Sequence, residues 1–457
     1  KGFDGNDSQV LDTAKRLISR ILCNADPLAG IPRHGPGATA TGEQSPGKHA
    51  FSRLISRLDR VYKVDHWFYL NASHLSHEFD KLQQLTPVKS GCAKVVLVPK
   101  DSRGPRLISM EPLENQWIQQ AQMSVLVQTL EEHPLTKGRI NFRDQSINGA
   151  LALEGSLPPY RWATLDMKEA SDRVSLRLVH SLFPKRWFEA LYASRSSHTL
   201  MPDGTKIRLK KFAPMGSAVC FPVEALVFWA LGVSTLMHHK QKKLREASAN
   251  LFVYGDDIVT CTEDHGIVCQ QLERFDLLVN KAKCCVAGPF KESCGIDAFN
   301  GISVTPLRLR QPWSSSRKSS TLVSWVAFSN AAWERGMYET ARTVEERLQL
   351  IWKRTIPTIS SKDPAVCCFI RPQLDTRPCT QPKVKFRYNK RLHRRECQGI
   401  ALKPTSILTK VTGYPLLLRY LTALERRTPT TYGCLPEGGP SVETGYFAIA
   451  HREKPTR

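Results

Sequence analysis

An α+β fold is predicted for this 457-residue chain, on three observations. One is a hairpin signature, Leu251-Phe-Val-Tyr-Gly-Asp-Asp-Ile-Val-Thr260, in which β-formers flank a glycine and two aspartates. Gly and Asp both tolerate the left-handed backbone angles of a tight reversal. Another is a second strand pair, Cys92–Val98 and Leu107-Ile108, joined by the basic turn Pro99-Lys-Asp-Ser-Arg-Gly-Pro-Arg106. The last is Ser217–Leu236, apolar nearly all round and so expected as a helix inside a core. A chain of this length can bury a large core and is expected to form two or three subdomains.

In chain order, residues 1–30 read as an amphipathic helix and a loop. Residues 31–48 are rich in Gly and Pro and are expected to be irregular. Apolar spacing from Phe51 to Gln84 is mixed and mostly helical. After the basic strand pair come a helix (Trp117–Leu130), a strand (Arg161–Met167), a helix (Val174–Leu182) and a basic strand-like segment (Lys206–Phe212). The apolar helix and the Gly-Asp-Asp hairpin follow. Beyond Pro306, Val344–Ile351 and Leu416–Leu424 have helical spacing. Between them Arg371–Lys403 carries ten Lys/Arg against two Asp/Glu, a charge block of the kind that is often merely solvated.

The excess of 65 Lys+Arg over 42 Asp+Glu gives +23. It favours a polyanionic partner, because each neutralised phosphate releases counterions. A membrane surface is the other polyanion, and a merely solvated basic surface is the bland reading. The longest apolar run, Ala225–Met237, is too short to span a bilayer, and Glu224 sits at its edge. No signal peptide is visible, the chain begins at Lys1 with an N-terminus expected upstream, and a soluble cytosolic protein without a membrane partner is expected. The 13 cysteines are unpatterned, with no C-x-x-C, and read as reduced and intracellular. Cys379, His393 and Cys397 lack the paired spacing of a zinc site.

Asp256 and Asp257 place two carboxylates at one hairpin tip. They raise each other's pKa unless a cation shares them, and Mg²⁺ suits such oxygen ligands. Alone, the tip reads equally as an Asp-rich surface turn. Upstream, the predicted strand ending at Asp166 adds a third carboxylate, with Asp172 in D-x5-D spacing. Asp166 could instead cap a helix. A strand-end and a hairpin-tip carboxylate could together hold two metals about 3.5–4 Å apart, which is most of what phosphoryl transfer asks of a protein. Gly216 permits a bend and close approach of a ligand. Ser217 could cap the following helix or bond a ribose hydroxyl, with Asp172 as a second group for the 2′-OH. Lys94, Lys100, Arg103 and Arg106 cluster on the basic strand pair and suit a triphosphate, although an exposed basic hairpin would look the same. In Asn280-Lys-Ala-Lys283, Lys283 is the candidate proton donor to departing pyrophosphate.

The order basic hairpin, strand Asp, Gly-Ser helix, Gly-Asp-Asp hairpin, lysine resembles viral RNA-dependent RNA polymerases. It resembles more closely still the replicase catalytic subunits of levivirus-like single-stranded RNA bacteriophages. The segments carrying the resemblance are Arg33-His-Gly-Pro-Gly-Ala38, Val98-Pro-Lys100, Pro105-Arg-Leu-Ile-Ser-Met-Glu-Pro112, Asn141-Phe-Arg-Asp-Gln-Ser-Ile-Asn148, Ala170-Ser-Asp172, Phe212-Ala-Pro-Met-Gly-Ser-Ala218, Phe221-Pro-Val-Glu224 and Phe290-Lys-Glu-Ser-Cys-Gly295. They run from about residue 31 to 306.

The resemblance implies a right-hand polymerase with a palm of antiparallel sheet plus helices, fingers and a mostly helical thumb. It implies an N-terminal region and fingers over 1–160 with the basic hairpin at 92–108, palm over 161–184, a fingers insertion over 185–215, palm over 216–306, and thumb with a basic C-terminal region over 307–457. It also implies RNA synthesis from NTPs on an RNA template, two Mg²⁺ ions with Mn²⁺ as a substitute, and host translation factors as candidate further subunits, in the cytoplasm of a bacterial host. Asp166 and Asp256 would be the principal metal ligands, with Asp257 assisting; Asp172 and Ser217 the ribose selectors; Lys100 and Arg106 triphosphate binders. One departure is Met167-Lys-Glu169, which puts charge where relatives have a small polar stretch. The rival readings are a narnavirus- or ourmiavirus-like polymerase of a eukaryotic host, a reverse transcriptase, and a non-catalytic basic RNA-binding protein.

Overall fold

A computed structural model of the chain describes residues 5–35, 37–43, 48, 51–101, 104–309, 311–314, 319–353, 356, 358–359, 369–371, 386–403, 413–414, 417, 421 and 441–448. The chain divides into two units, Lys1–Thr305 with Thr409–Pro429, and Pro306–Leu408 with Thr430–Arg457.

In the first unit, helix α1 (Gly5–Leu22) buries Val10, Ala14, Leu17, Ile18 and Ile21, the spacing of a single helical face. Short helices occupy much of 56–83, with a parallel pair, Arg53–Ile55 and Thr86–Val88, that the sequence did not reveal. Three-residue strands carry too little periodicity to read. Strands β1 (Cys92–Asp101) and β2 (Gly104–Met110) form the expected antiparallel hairpin, with a register irregularity between Val98 and Asp101. Helices α2 (Leu113–Glu132) and α3 (Ser146–Gly155) precede strand β3 (Trp162–Asp166).

After helix α4 (Lys185–Ser194), strands β4 (His198–Leu200) and β5 (Lys206–Arg208) extend the basic hairpin into a four-stranded sheet in the order β2-β1-β4-β5. The basic strand ends at Arg208 instead of continuing to Phe212. The reason is local: the buried Arg195 guanidinium takes the carbonyls of Leu209, Lys211 and Phe212 at 2.7, 2.8 and 2.5 Å, and Phe212 turns into the core.

Helix α5 (Cys220–His239) is buried over nearly its whole length and forms the centre of the main core. It is long and apolar enough to cross a membrane, longer than the apolar run suggested. Yet 89% of its most apolar window is buried within the protein, the signature of a core helix. Strands β6 (Leu251–Tyr254) and β7 (Asp257–Cys261) make the second hairpin, and the sheet order is β3-β7-β6. Helix α6 (His265–Arg274) packs on α5. An antiparallel meander of β8 (Phe290–Ser293), β9 (Ile296–Phe299) and β10 (Ile302–Ser303) follows.

In the second unit, helices α7 (Ser319–Glu334) and α8 (Tyr338–Trp352) enclose Leu322, Trp325, Val326, Val344 and Leu348. Strands that the sequence reading did not name accompany these helices. Strands Phe386–Asn389, Arg394–Lys403 and Ser441–Ala448 form a three-stranded antiparallel sheet there, so part of the basic block is β-structure. The third strand lies far along the chain from the local hairpin that it joins, where spacing cannot announce it. The Leu416–Leu424 helix falls outside the described residues except at Leu417 and Leu421, as do Cys379 and the Cys397 side chain of the discounted zinc set. The cysteines whose side chains are described are all free thiols.

Gly255 fixes the second hairpin twice over. Its φ is +64°, at the first central position of a two-residue reversal, and a Cβ there would lie 1.9 Å from the Phe221 ring of α5. Asp256, by contrast, is not among the positive-φ residues. Gly255→Ala is therefore expected to cost at least about 2 kcal/mol, from left-handed strain and overpacking. Denaturant unfolding measures this; an unchanged midpoint would refute the close fit.

Candidate active site

The site forms at one end of the sheet β3-β7-β6. Trp162, Ala163, Thr164 and Leu165 are buried along β3, and the ladder runs Leu165 opposite Ile258 and Asp166 opposite Asp257. Directly paired residues of an antiparallel ladder point to the same face. With Asp256 at the tip, the three aspartates that the sequence singled out lie at one sheet end. Asp166 caps no helix: the next one, Ala170–Arg173, begins after Glu169.

Their surroundings differ. The Asp166 Oδ2 accepts from Asn280 Nδ2 at 2.7 Å, and Lys283 Nζ lies 3.5 Å from the same oxygen. Segment 278–285 runs beside β3 through paired backbone bonds between Thr164 and Cys285, at 2.9 and 3.0 Å, and one from Asn280 N–H to the Asp166 carbonyl at 2.8 Å. The Asp257 Oδ2 accepts from the Cys294 N–H at 2.9 Å, in the reversal between β8 and β9. Asp256 lies exposed at the tip.

Burial, with Asp256 beside it, pushes the Asp257 carboxyl up to about 6. Asp256, although exposed as a residue, is also raised, by partial desolvation of its carboxyl and by Asp166, against the opposing pull of its own backbone N–H, Lys283 and Arg106. Glu292 on β8 is raised by burial, by Asp297 and by Asp166. Glu224, at 5% exposure on α5, is pushed up to about 8 by burial and by Asp256. Crowded carboxylates that hold each other's protons form a site that lacks positive charge. An all-oxygen donor set is of the chemistry that suits a hard cation such as Mg²⁺. Among the described residues, no three His, Cys, Asp or Glu side chains stand together as a ready ligand group, and Asp257 already has one oxygen on a backbone donor.

The ribose candidates are held by different partners. Asp172 pairs with Lys211. Ser217 does not cap α5, whose start has no side-chain cap; its hydroxyl lies 3.1 Å from Gln119 Oε1. Gly216 does permit a close approach, but of the protein's own backbone. Its φ is +115°, and a Cβ would fall 2.1 Å from the Ser109 carbonyl oxygen of β2, while the Ser109 N–H donates to the Met215 carbonyl at 2.8 Å. The basic hairpin is thereby joined to the loop that opens α5.

On that hairpin the register pairs Val98 with Arg106 and Lys94 with Met110, so Lys94 and Arg106 share one face, and both are exposed. Arg106 acts electrostatically on Asp256. The side chain of Lys100, and Arg103 entirely, lie outside the described residues. The charge of Glu169 is engaged by Arg173 at 2.9 Å.

Gln119, Asn280, Lys211, Glu224 and Cys294 were not picked out as site residues from the sequence. Glu224 had a signal, an acid inside an apolar helix, and Asn280 stood beside Lys283. The others had none, because their roles arise from contacts across the fold.

Residues 3–324 match the family described as RNA replicase, beta-chain. The RNA-directed RNA polymerase subunit beta of Enterobacteria phage SP is 32% identical over 311 residues, covering 66% of this chain and 51% of that protein. That of Escherichia virus Qbeta is 31% identical over 303 residues, covering 65% and 48%. The chain thus spans about half the length of these relatives. Among solved structures, the RNA-dependent RNA polymerase of a human picorbirnavirus aligns with a TM-score of 0.39 and 16% identity, over 58% of this chain and 56% of that one.

The acids have a consequence for stability. Glu111, wholly buried, is pushed up to about 7 by burial, against Ser196, Gln119, Arg195 and Arg57, which favour its charge. Glu111 and Glu224 both titrate above the unfolded value of 4.5. The folded protein therefore holds protons that the unfolded chain releases, and stability present below pH 4.5 is lost as pH rises through about 7 and 8. Thermal unfolding without divalent ions should show a lower midpoint at pH 8.5 than at pH 6, about these values. Glu224→Gln should flatten the slope, and an equal slope in that variant would show that Glu224 does not contribute.

Proposed function

Because this chain belongs to the RNA replicase beta-chain family, we propose that it is an RNA-directed RNA polymerase, the catalytic subunit of a levivirus-like phage replicase. It would copy a positive-strand RNA genome from NTPs. The convergence of Asp166, Asp256 and Asp257 at one sheet end, inside the family-matched span, carries this reading. In it, residues 161–184 and 216–306 form the palm, 1–160 and 185–215 the N-terminal region and fingers, and 307–457 the thumb and basic C-terminal region.

Asp166 and Asp256 would hold the metal, with Asp257 as the supporting carboxylate. Two Mg²⁺ ions, or Mn²⁺ in their place, supply Lewis acidity toward the RNA 3′-hydroxyl and neutralise the leaving pyrophosphate. Arg106 and Lys94 orient the triphosphate from one hairpin face, together with Lys100 and Arg103. Asp172, Gly216 and Ser217 form the ribose side. Lys283 holds a proton at its ammonium near Asp166, ready for the pyrophosphate oxygen. Asn280 keeps the Asp166 carboxylate pointed along the sheet end. The net +23 supports RNA template and product as the bound polyanion. Host translation factors as further replicase subunits, and a bacterial cytoplasm as the location, follow from the same reading.

Asp256→Asn should abolish NTP incorporation on a primed RNA template while changing RNA affinity less than about twofold, since the group holds metal and not template. Synthesis at the unaltered rate would end the assignment; loss of RNA binding in parallel would mean that the tip contacts RNA. Template affinity should also fall linearly in log K against log salt, by at least about tenfold between 50 and 200 mM. A flat response would remove the basic surface as the RNA track.

A further inference from the structure

Gln119 is fully buried on α2, where it also favours the charge of Glu111, and its main-chain partners fix its orientation. Its Nε2 donates to the Ser194 main-chain carbonyl at 2.9 Å. Its Oε1 accepts from the Ala218 main-chain N–H at 3.3 Å. A carbonyl can only accept and a peptide N–H can only donate, so these two contacts set the amide one way round. The Ser217 hydroxyl, 3.1 Å from the same Oε1, must then be the donor. With its proton committed, the Ser217 oxygen can offer an incoming group only lone pairs. The loop cannot easily turn to change this, because Gly216 is seated against the Ser109 carbonyl and Met215 is bonded to the Ser109 N–H. Ser217 is 6% exposed, beside Met215 and Gly216, which face solvent.

We propose that Gln119 is a positioning residue that fixes Ser217 as a hydrogen-bond acceptor, so that the site selects a nucleotide by a donor at the 2′ position. This rests on the polymerase reading and deepens it. A ribose 2′-OH can donate to Ser217. A 2′-hydrogen cannot, and neither can a 2′-fluorine, although fluorine matches the hydroxyl in size and polarity. Recognition of size or polarity alone would accept the fluoro analogue; recognition of a donor rejects it. A 2′-amino group, which donates, should be accepted.

The test is single-nucleotide incorporation by the full chain with 2′-hydroxyl, 2′-amino, 2′-fluoro and 2′-deoxy triphosphates. The unaltered protein should use the fluoro substrate no better than the deoxy one. Gln119→Leu should lower the hydroxyl-over-deoxy preference about tenfold, the scale of one hydrogen bond. Ser217→Ala should lower it equally, and the double variant no further, because the two act as one unit. Efficient use of the fluoro substrate by the unaltered chain would overturn the proposal whether or not any variant folds. So would a Gln119→Leu protein slowed equally on all substrates, which is the mark of a merely structural glutamine. If the unaltered chain, assayed together with host translation factors, incorporates no nucleotide at all, the polymerase reading fails and takes this inference with it; incorporation with an unmoved preference overturns this inference alone.

Discussion

Like charges on neighbouring strands repel, yet the ladder of β3 and β7 holds Asp166 opposite Asp257 with Asp256 at the adjoining tip. Like charges about 4 Å apart near a protein surface repel by on the order of 4 kcal/mol, and by less when further apart. Against it stand Leu165, Val253, Ile258 and Val259, each at 2% exposure or less, and buried side chains of this kind contribute about 1.5–3 kcal/mol apiece. The apolar interior therefore wins and can impose the charge crowding. Helix α5 is what makes that interior available. Its Phe221 ring presses on Gly255 and meets Tyr254 edge-on at 5.4 Å between centroids, so the same helix that anchors the sheet also sets the shape of the hairpin tip.

The protein treats the crowded carboxylates unequally. Asp166 is steadied by the Asn280 amide and approached by Lys283. Asp257 has one oxygen on the Cys294 backbone N–H. Asp256 stands most open, with the charges of Asp166, Lys283 and Arg106 acting on it. This inequality supports different duties for neighbouring aspartates. The steadying groups come from segments well separated in the chain, the loop at 280 and the turn at 294. A second seam, Gly216 against Ser109, couples the basic hairpin to the loop ahead of α5, so the cationic and acidic parts share one frame.

Much of this was legible beforehand where the signal is local. The hairpin at 251–260, the strand ending at Asp166 and the basic hairpin declared themselves by alternation and turn chemistry, and α5 by its unbroken apolarity. Where the signal is not local, the reading fell short. The Lys206–Phe212 segment looked like one strand but stops at Arg208, because Arg195 takes its later carbonyls. Ser217 looked like either a cap or a ribose contact; it bonds Gln119, a residue nearly a hundred positions earlier.

Sequence by itself determined which residues carry charge, where the chain can reverse and which helix must be buried, since these follow from side-chain chemistry and short-range backbone preference. It also determined family membership through the order of its motifs. Tertiary structure alone decided which aspartate faces which, that Gly216 yields to a neighbouring strand, and which way the Gln119 amide and the Ser217 hydroxyl point. The physical reason is the same each time. A hydrogen bond or a steric contact between distant segments exists only after the apolar core has brought them together, and no local pattern encodes its direction.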